Sequence, residues 1–572
     1  MTWRPDDVDT VDAVIIGSGP GGSTAAEVLT RAGWSIVMLE RGRNHLVSSE
    51  PPYERLSEYS ADELKLFHRW FLGPDPLVEP RTFRRHGTTG EREHVGEVNN
   101  LPATVGGGGV HADGKLPRFR PEDFKPISLG DGPMPDSALV DWPVTYEDIE
   151  PYYEEAERLI GVAGDNSDNP FAAPRRGPYP MPPGASMFGA LMVAEHAIKL
   201  GYHPYTAPTG ANSVPYDGRP ACVNCGHCGH FGCPIHAKGD PVAPLQNALK
   251  TGRLALWPEC FAFRITHAGG LATGVDYIDP TGERRHVAGR HVLLAGGSCE
   301  SARLALLSGL DSLAGGDHIG RYLQYHFQTI TSGFFPRNTY PMRGRSVTHA
   351  QDDSIVMDDL ARAAAKEAGL PFIRGGLTEY GAGGHPISSA RHLPAGEHHT
   401  KAMRDGGLVN NVWGLIQQGE DMPLHHNQID LDPGVKDVHG FPVSRTTHAP
   451  HKHELVCSQH WGPRFTEILT AAGAHFTHTV TSPDPNGSYK DFISPISQSK
   501  HVVGTLRMGT SPDDSVVDAT QRFHALPNLI SCDGAPFPTS AGYGPTLTIV
   551  ATAMRAAHLL AGTSLSLPLS VA

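Results

Sequence analysis

Basic residues are in deficit in this chain: 47 Lys and Arg face 61 Asp and Glu, for a formal charge of −14 at pH 7. A nucleic-acid backbone or an anionic membrane surface would be repelled on average, so the expected partners are small molecules. Long apolar runs are lacking as well. Met1 to Asp12 carries four Asp and no apolar core of the kind a secretory signal needs, so a cytoplasmic chain is expected. The most tempting uncharged stretch, Gly534 to Met554, holds Pro536, Pro538 and Pro545 and reads as a loop running into a helix, not a membrane span. Gly (65) and Pro (49) stay below the ~25–30% of a low-complexity chain, which excludes disorder as the main state. No internal repeat is present. Cysteine is scarce, eight in 572 residues, yet Cys222, Cys225, Cys228 and Cys233 fall within twelve positions, which dispersed core thiols would not do. The 32 His, with reference pKa values of ~6.5, make the net charge sensitive to mild acid.

Residues 12 to 40 form one readable unit. Asp12 to Ile16 is a buried-strand run, Gly17-Ser-Gly19-Pro-Gly-Gly22 is a glycine turn, Ser23 to Ala32 has helical composition, and a second strand, Ser35 to Leu39, ends in Glu40. This is a βαβ dinucleotide unit: Gly17 permits the tight turn, Gly19 admits a pyrophosphate to the backbone, Gly22 allows helix and strand to pack closely, and Glu40 falls where an acid binds a ribose hydroxyl. Residues 48 to 100 read as charged and aromatic with helical pieces. Four glycines, Gly107 among them, precede Val110-His111, where backbone must approach something closely. A helix is expected at Tyr146 to Ile160. The run Arg290 to Gly297 reads as a strand entering a second glycine turn at Gly296, followed by a helix from Cys299 to Leu307. Residues 330 to 495 change to mixed strand and loop patterning with antiparallel character. A strand at Asn528 to Cys532 and a helix from Thr546 to Leu560 close the chain. The fold class expected is α/β (α+β overall).

Gly17 to Gly22 with Glu40, Val105 to His111, Ala295 to Gly297, Ile319 to Leu323 with His326, His501-Val-Val-Gly-Thr-Leu-Arg-Met-Gly509, and Asp533-Gly534 to Pro545-Thr-Leu-Thr548 together resemble the glucose-methanol-choline (GMC) oxidoreductases, in the family's order along nearly the whole chain. Within that family, Asp141 to Tyr153, Pro178 to Pro183 and the terminal Pro-Thr-Leu-Thr look most like the bacterial sugar and gluconate dehydrogenases and the pyranose and C-glycoside oxidases. The resemblance implies a Rossmann-like FAD-binding domain built from discontinuous segments, with a mixed or antiparallel-sheet substrate domain over the flavin. The corresponding boundaries are 1–130, 216–330 (with the Cys-rich segment) and 495–572 for the FAD-binding parts, 131–215 for a connecting substrate-domain segment, and 331–494 for the substrate domain.

Such enzymes oxidise an alcohol by hydride transfer to FAD, here expected to act on a sugar, glycoside or related secondary alcohol. A group with pKa near working pH best takes the hydroxyl proton, and the resemblance puts that role on His501. Gly17, Gly19, Gly22, Glu40, Gly107, His111, Gly296, Asp533, Gly534, Pro545 and Thr546 are implied to bind FAD. His111 stands where some relatives attach FAD covalently, the alternative being a His packed against the flavin edge. Pro545 and Thr546 start a helix whose N-terminus suits negative charge on reduced flavin. Relatives of the sugar-oxidising branch carry a second His or Asn directly before Pro-Thr-Leu-Thr. Here that residue is Gly544, and Tyr543 beside it is the substitute donor considered. The departure keeps a non-redox flavin lyase as an alternative. Cys222-x2-Cys225-x2-Cys228-x4-Cys233 is close to a ferredoxin run and could hold an iron-sulfur cluster or zinc, or could be plain thiols or a disulfide. A cluster would make the chain the flavin subunit of an electron-transfer complex with a small partner subunit. Otherwise electrons pass to O2 or to an artificial or protein acceptor.

Overall fold

The computed structural model describes residues 9–45, 76–87, 92–98, 101–165, 167–226, 228, 233, 235–239, 241–341, 343–345, 347–381, 396–397, 400, 404, 410–486 and 495–565. Three sheets organise these residues. In the first, β1 (Val11–Ile16) pairs in parallel with β2 (Ile36–Leu39) on one side and with β9 (Arg284–Leu294) on the other. The parallel order extends outward to β6 (Leu254–Trp257) beyond β2 and to β17 (Leu529–Ser531) beyond β9. The N-terminal half of β9 leaves this layer to pair with the hairpin of β7 (Phe261–Ala268) and β8 (Leu271–Ile278). Strands drawn from the start, middle and end of the chain thus form one layer. β1 and β2 are almost wholly apolar and buried, as strands covered on both faces must be. The helices Pro20–Arg31 and Thr546–Ala561 pack against one another beside it.

The second sheet is antiparallel, in the order β16 (Phe476–Ser482), β10 (His326–Phe334), β13 (Val412–Glu420), β12 (Thr378–Gly381), β11 (Val347–Gln351) and β5 (Tyr205–Thr206). It recruits β5 and the start of β10 from outside residues 331–494. The helix Lys452–Ala471 covers its back, burying Trp461 and Phe465 beside Trp413 and Leu415.

Two strands of the third sheet were hidden from pattern reading. β3 (Arg81–Arg84) and β4 (His94–Gly96) lie where helical pieces were expected, and join β15 (Pro442–Thr447) and β14 (Gln428–Lys436). Residues 48–75 lie outside the described residues. β3 has no apolar alternation because all four of its residues are buried and an arginine stands on each face: Arg81 is 2% exposed and pairs with Glu79 and Glu300, while Arg84 reaches Asp430 and Thr447. Among the described residues no helix is long and apolar enough to cross a membrane.

Candidate active site

A cavity of about 450 Å³ separates the parallel sheet from the antiparallel one, and its lining runs from the first glycine turn to His501. The volume falls in the ordinary range of ligand sites. Its inner end is built by the turn after β1. Gly17 holds φ +100°, a left-handed conformation, and a Cβ there would meet the Ala295 carbonyl oxygen at 2.3 Å. A Cβ on Gly21 would reach the Cys532 carbonyl oxygen at 1.7 Å, and one on Gly22 the Gly17 carbonyl oxygen at 2.1 Å. Gly19 differs: a Cβ there meets nothing within 4 Å, although the residue lines the cavity. Three glycines are needed for packing, and the fourth keeps a channel clear. Gly107 approaches that channel closely enough for its Cβ to fall 2.9 Å from the Gly19 Cα.

Glu40 lines the cavity with its carboxylate already oriented. Oε2 accepts from the Ser18 amide at 3.0 Å and hydroxyl at 2.6 Å, and Oε1 accepts from the Gly42 amide at 2.7 Å. Asp533 is also on the lining but ties the protein to itself, accepting from the Gly297 and Ala535 amides at 2.9 Å and from the Ser301 hydroxyl. Gly296, Gly534, His111 on the 3-10 turn Gly107–His111, and Pro545 with Thr546 complete this part. The last two open the helix Thr546–Ala561, whose first turn faces the cavity with unsatisfied amides that favour negative charge. A bare channel over Gly19, a preset carboxylate and a helix N-terminus together fit an FAD.

The far end is set by a local pairing. Gln324 and Val503 exchange backbone hydrogen bonds at 3.0 and 3.1 Å as an antiparallel bridge, which brings the residues two steps on, His326 and His501, opposite each other. Their Nδ1 atoms are 2.9 Å apart and the rings meet edge-on. His326 Nε2 lies 3.2 Å from the Ser540 carbonyl oxygen, which can only accept, so Nε2 carries the proton. Burial pushes the His326 pKa down to about 4, so the ring is neutral and its Nδ1 is an acceptor. His501 must then donate through Nδ1, leaving the lone pair on Nε2. The Nε2 and Cε1 edge faces Gly544, where a Cβ would sit 3.7 and 3.6 Å from those atoms. Burial, followed by the charges of His326 and Lys115, holds the His501 pKa well below the ordinary histidine range. Among the described residues it is one of eleven histidines held low mainly by burial, so less of the histidine charge responds to mild acid than the count suggests.

Tyr543 does not reach this cavity. It is buried on the other side of the chain, its hydroxyl donating to Asp352 at 3.3 Å and its ring packing against Phe119. Sequence reasoning missed the polar residues facing His501: Lys115, Glu379, Gln418, Gln328 and Lys500 all line the cavity. Only Lys500, next to His501 in sequence, could have been guessed. None of the four clustered cysteines lines the cavity. Cys222, Cys225, Cys228 and Cys233 are free thiols, and no group of three or more His, Cys, Asp or Glu among the described residues is arranged to hold a metal. The segment therefore gives the iron-sulfur and zinc expectation no support. Burial raises the Cys228 thiol to about 12.

Family models described as GMC oxidoreductase match residues 141–328 and 423–553, together more than half of the chain, and an FAD binding domain matches residues 10–50. The chain belongs to the GMC oxidoreductases. It is an FAD-dependent oxidoreductase acting on CH–OH donors. Paromamine 6'-oxidase of Streptomyces fradiae is 29% identical over 98% of this chain and 93% of its own length. The 2-methyl-1,2-propanediol dehydrogenase of Mycolicibacterium austroafricanum is 27% identical, with 96% and 94% covered. Gluconate 2-dehydrogenase flavoprotein of Pantoea cypripedii is 25% identical, with 96% and 92% covered. Among solved structures, pyridoxine 4-oxidase from Mesorbium loti superposes with TM-score 0.62 over 97% of this chain and all of its own, at 17% identity, a likeness of fold.

Proposed function

We propose that this GMC oxidoreductase oxidises a secondary hydroxyl of a sugar, glycoside or related alcohol to a ketone, with His501 as the general base. The observation that carries the reading is the relay Ser540, His326, His501, which leaves a lone pair on His501 Nε2 at the cavity wall beside Gly544. His501 Nε2 takes the hydroxyl proton as the C–H bond breaks. FAD, when bound, supplies the hydride acceptor. Gly17, Gly19, Gly107 and Gly296 would lie along its phosphates and ring, Glu40 on its ribose, and Thr546 at the helix N-terminus beside its negative charge, while Gly22, which is off the cavity lining, holds the turn by close packing. Asp533 and Gly534 shape this cradle, and His111 packs at its edge. The low pKa of His501 keeps the base unprotonated at neutral pH. Residues 1–130, 216–330 and 495–572 act as the FAD-binding part and residues 131–215 and 331–494 as the substrate part.

The test is anaerobic bleaching of the purified protein's flavin by sugars, glycosides and diols. Bleaching with release of a ketone supports the reading. A flavin that stays oxidised while substrate is cleaved or isomerised would favour the lyase alternative.

A further inference from the structure

The roof of the cavity is a run of polar side chains on one face of the antiparallel sheet. Side chains alternate along a strand, so His326 and Gln328 of β10, Ile416 and Gln418 of β13, and Leu377 with Glu379 of β12 share a face. The register sets Gln328 directly opposite Gln418, and Glu379 opposite Ile416. Gln328 Nε2 donates to Gln418 Oε1 at 3.1 Å, and Gln418 Nε2 donates to Glu379 Oε1 at 3.1 Å. Glu379 also accepts from the Lys115 ammonium, which lies 3.3 Å from Asp113 on its other side. Glu379 and Gln418 are each 3% exposed, and Lys115 has 12% of its side chain open, toward the cavity. Two of the three ammonium N–H directions are taken, and no third partner faces it among the described residues.

We propose that the array Lys115, Glu379, Gln418 and Gln328 reads the substrate, selecting a neutral polyhydroxylated molecule with at least one hydroxyl adjacent to the one that is oxidised. The inference rests on the reading of this cavity as an alcohol-oxidising site. Each hydroxyl is both donor and acceptor, and the array offers both: carboxylate and amide oxygens to accept, ammonium and amide N–H groups to donate. An aliphatic alcohol would cover these groups without pairing them, and a buried polar group left unpaired is costly. Net charge argues for neutrality. Asp113 and Glu379 balance Lys115 and Lys500, so a carboxylate or ammonium substrate would meet a like charge along with its opposite. The array also supplies polar contacts to substrate on the wall opposite Gly544, which carries no side chain to do so.

The experiment compares matched alcohols that differ by one neighbouring hydroxyl, 1,2-cyclohexanediol with cyclohexanol and 1,2-propanediol with 2-propanol, by flavin bleaching in the holoenzyme. The wild type should prefer the diol by about 100-fold or more in kcat/KM, since a site built to bond a hydroxyl rejects the analogue lacking it. Lys115→Met should keep its flavin absorbance and reduce that preference at least tenfold. Because this change strands two acids, Gln328→Leu at the open end of the array is the second variant, with the same direction expected. An unchanged preference in both variants overturns the proposal. So does loss of flavin from folded Lys115→Met, which would assign Lys115 to the cofactor. If wild-type flavin is bleached by none of these alcohols nor by any sugar, the alcohol-oxidising reading itself has failed.

Discussion

His326 and His501 share one proton across 2.9 Å, and the carbonyl of Ser540 decides which way it points. Replacing His326 with Asn removes the ring that fixes the His501 tautomer while leaving His501 in place. Flavin reduction should slow at least tenfold, about 1.4 kcal/mol of barrier. Removing the imidazole should also move the acid limb of the pH profile upward, because His326 is one of the groups that lower the His501 pKa. A slower enzyme with an unmoved acid limb would reduce His326 to a packing role.

The direction of these pKa shifts fixes the pH dependence. A base held well below the ordinary histidine range loses activity only when protonated, so kcat/KM should stay flat from about pH 8 down through ~6.5 and fall in more acid solution. A half-point at or above 6.5 would contradict the assignment. Stability follows the same sign. His326 and His349 are held at about 4 and His453 at about 3, so the unfolded chain takes up protons near ~6.5 that the folded chain refuses. Their contribution is complete above ~6.5 and is lost as pH falls toward 4, roughly 3 kcal/mol for each as an upper bound. Tm measured between pH 7 and 4 should fall steadily.

Much of the cofactor end was legible because its constraints are local. The glycines of the first turn, the strands around them and the helix Tyr146–Ile160 show in short patterns. That helix starts at the Thr145–Asp148 capping box and ends at Gly161 in the left-handed conformation. The substrate end was not legible. Lys115 meets Glu379, and His326 meets His501, only through sheet register and chain crossings that no window of sequence contains. β3 was missed because its arginines are buried by carboxylates from distant segments, where periodicity looks for apolar residues. Adjacency to Gly544 in sequence does not place Tyr543 beside it in the cavity, because these neighbouring residues point to opposite sides of the chain.

Gly19 and Gly21 separate cofactor space from packing space. Gly19→Val would project into the open channel, so the fold and Tm should be kept while FAD retention drops at least tenfold. Gly21→Ala would force its methyl into the Cys532 carbonyl and should cost stability first, by roughly 1–3 kcal/mol. Flavin absorbance and thermal melts of the two variants distinguish these outcomes. Full flavin occupancy in Gly19→Val would place the cofactor elsewhere.

Gly544 is not required by the backbone, since an added Cβ meets only the His501 ring edge at ordinary contact distance. Gly544→Ala should therefore fold, stay yellow and keep its rate within a few-fold. Gly544→Asn should also keep FAD and bring an amide beside Nε2, where it can hydrogen-bond the substrate oxygen. Loss of FAD from Gly544→Ala, read by absorbance, would show that the cofactor presses on this backbone.

The role of His501 is tested most directly by the rate of anaerobic flavin reduction in His501→Ala against the wild type, with an alcohol that bleaches the wild-type flavin. Loss of a general base should slow reduction by ~10²–10⁴-fold, about 3–5 kcal/mol, with flavin occupancy unchanged. Reduction at the wild-type rate would contradict the account, because the proton would then be leaving by another group.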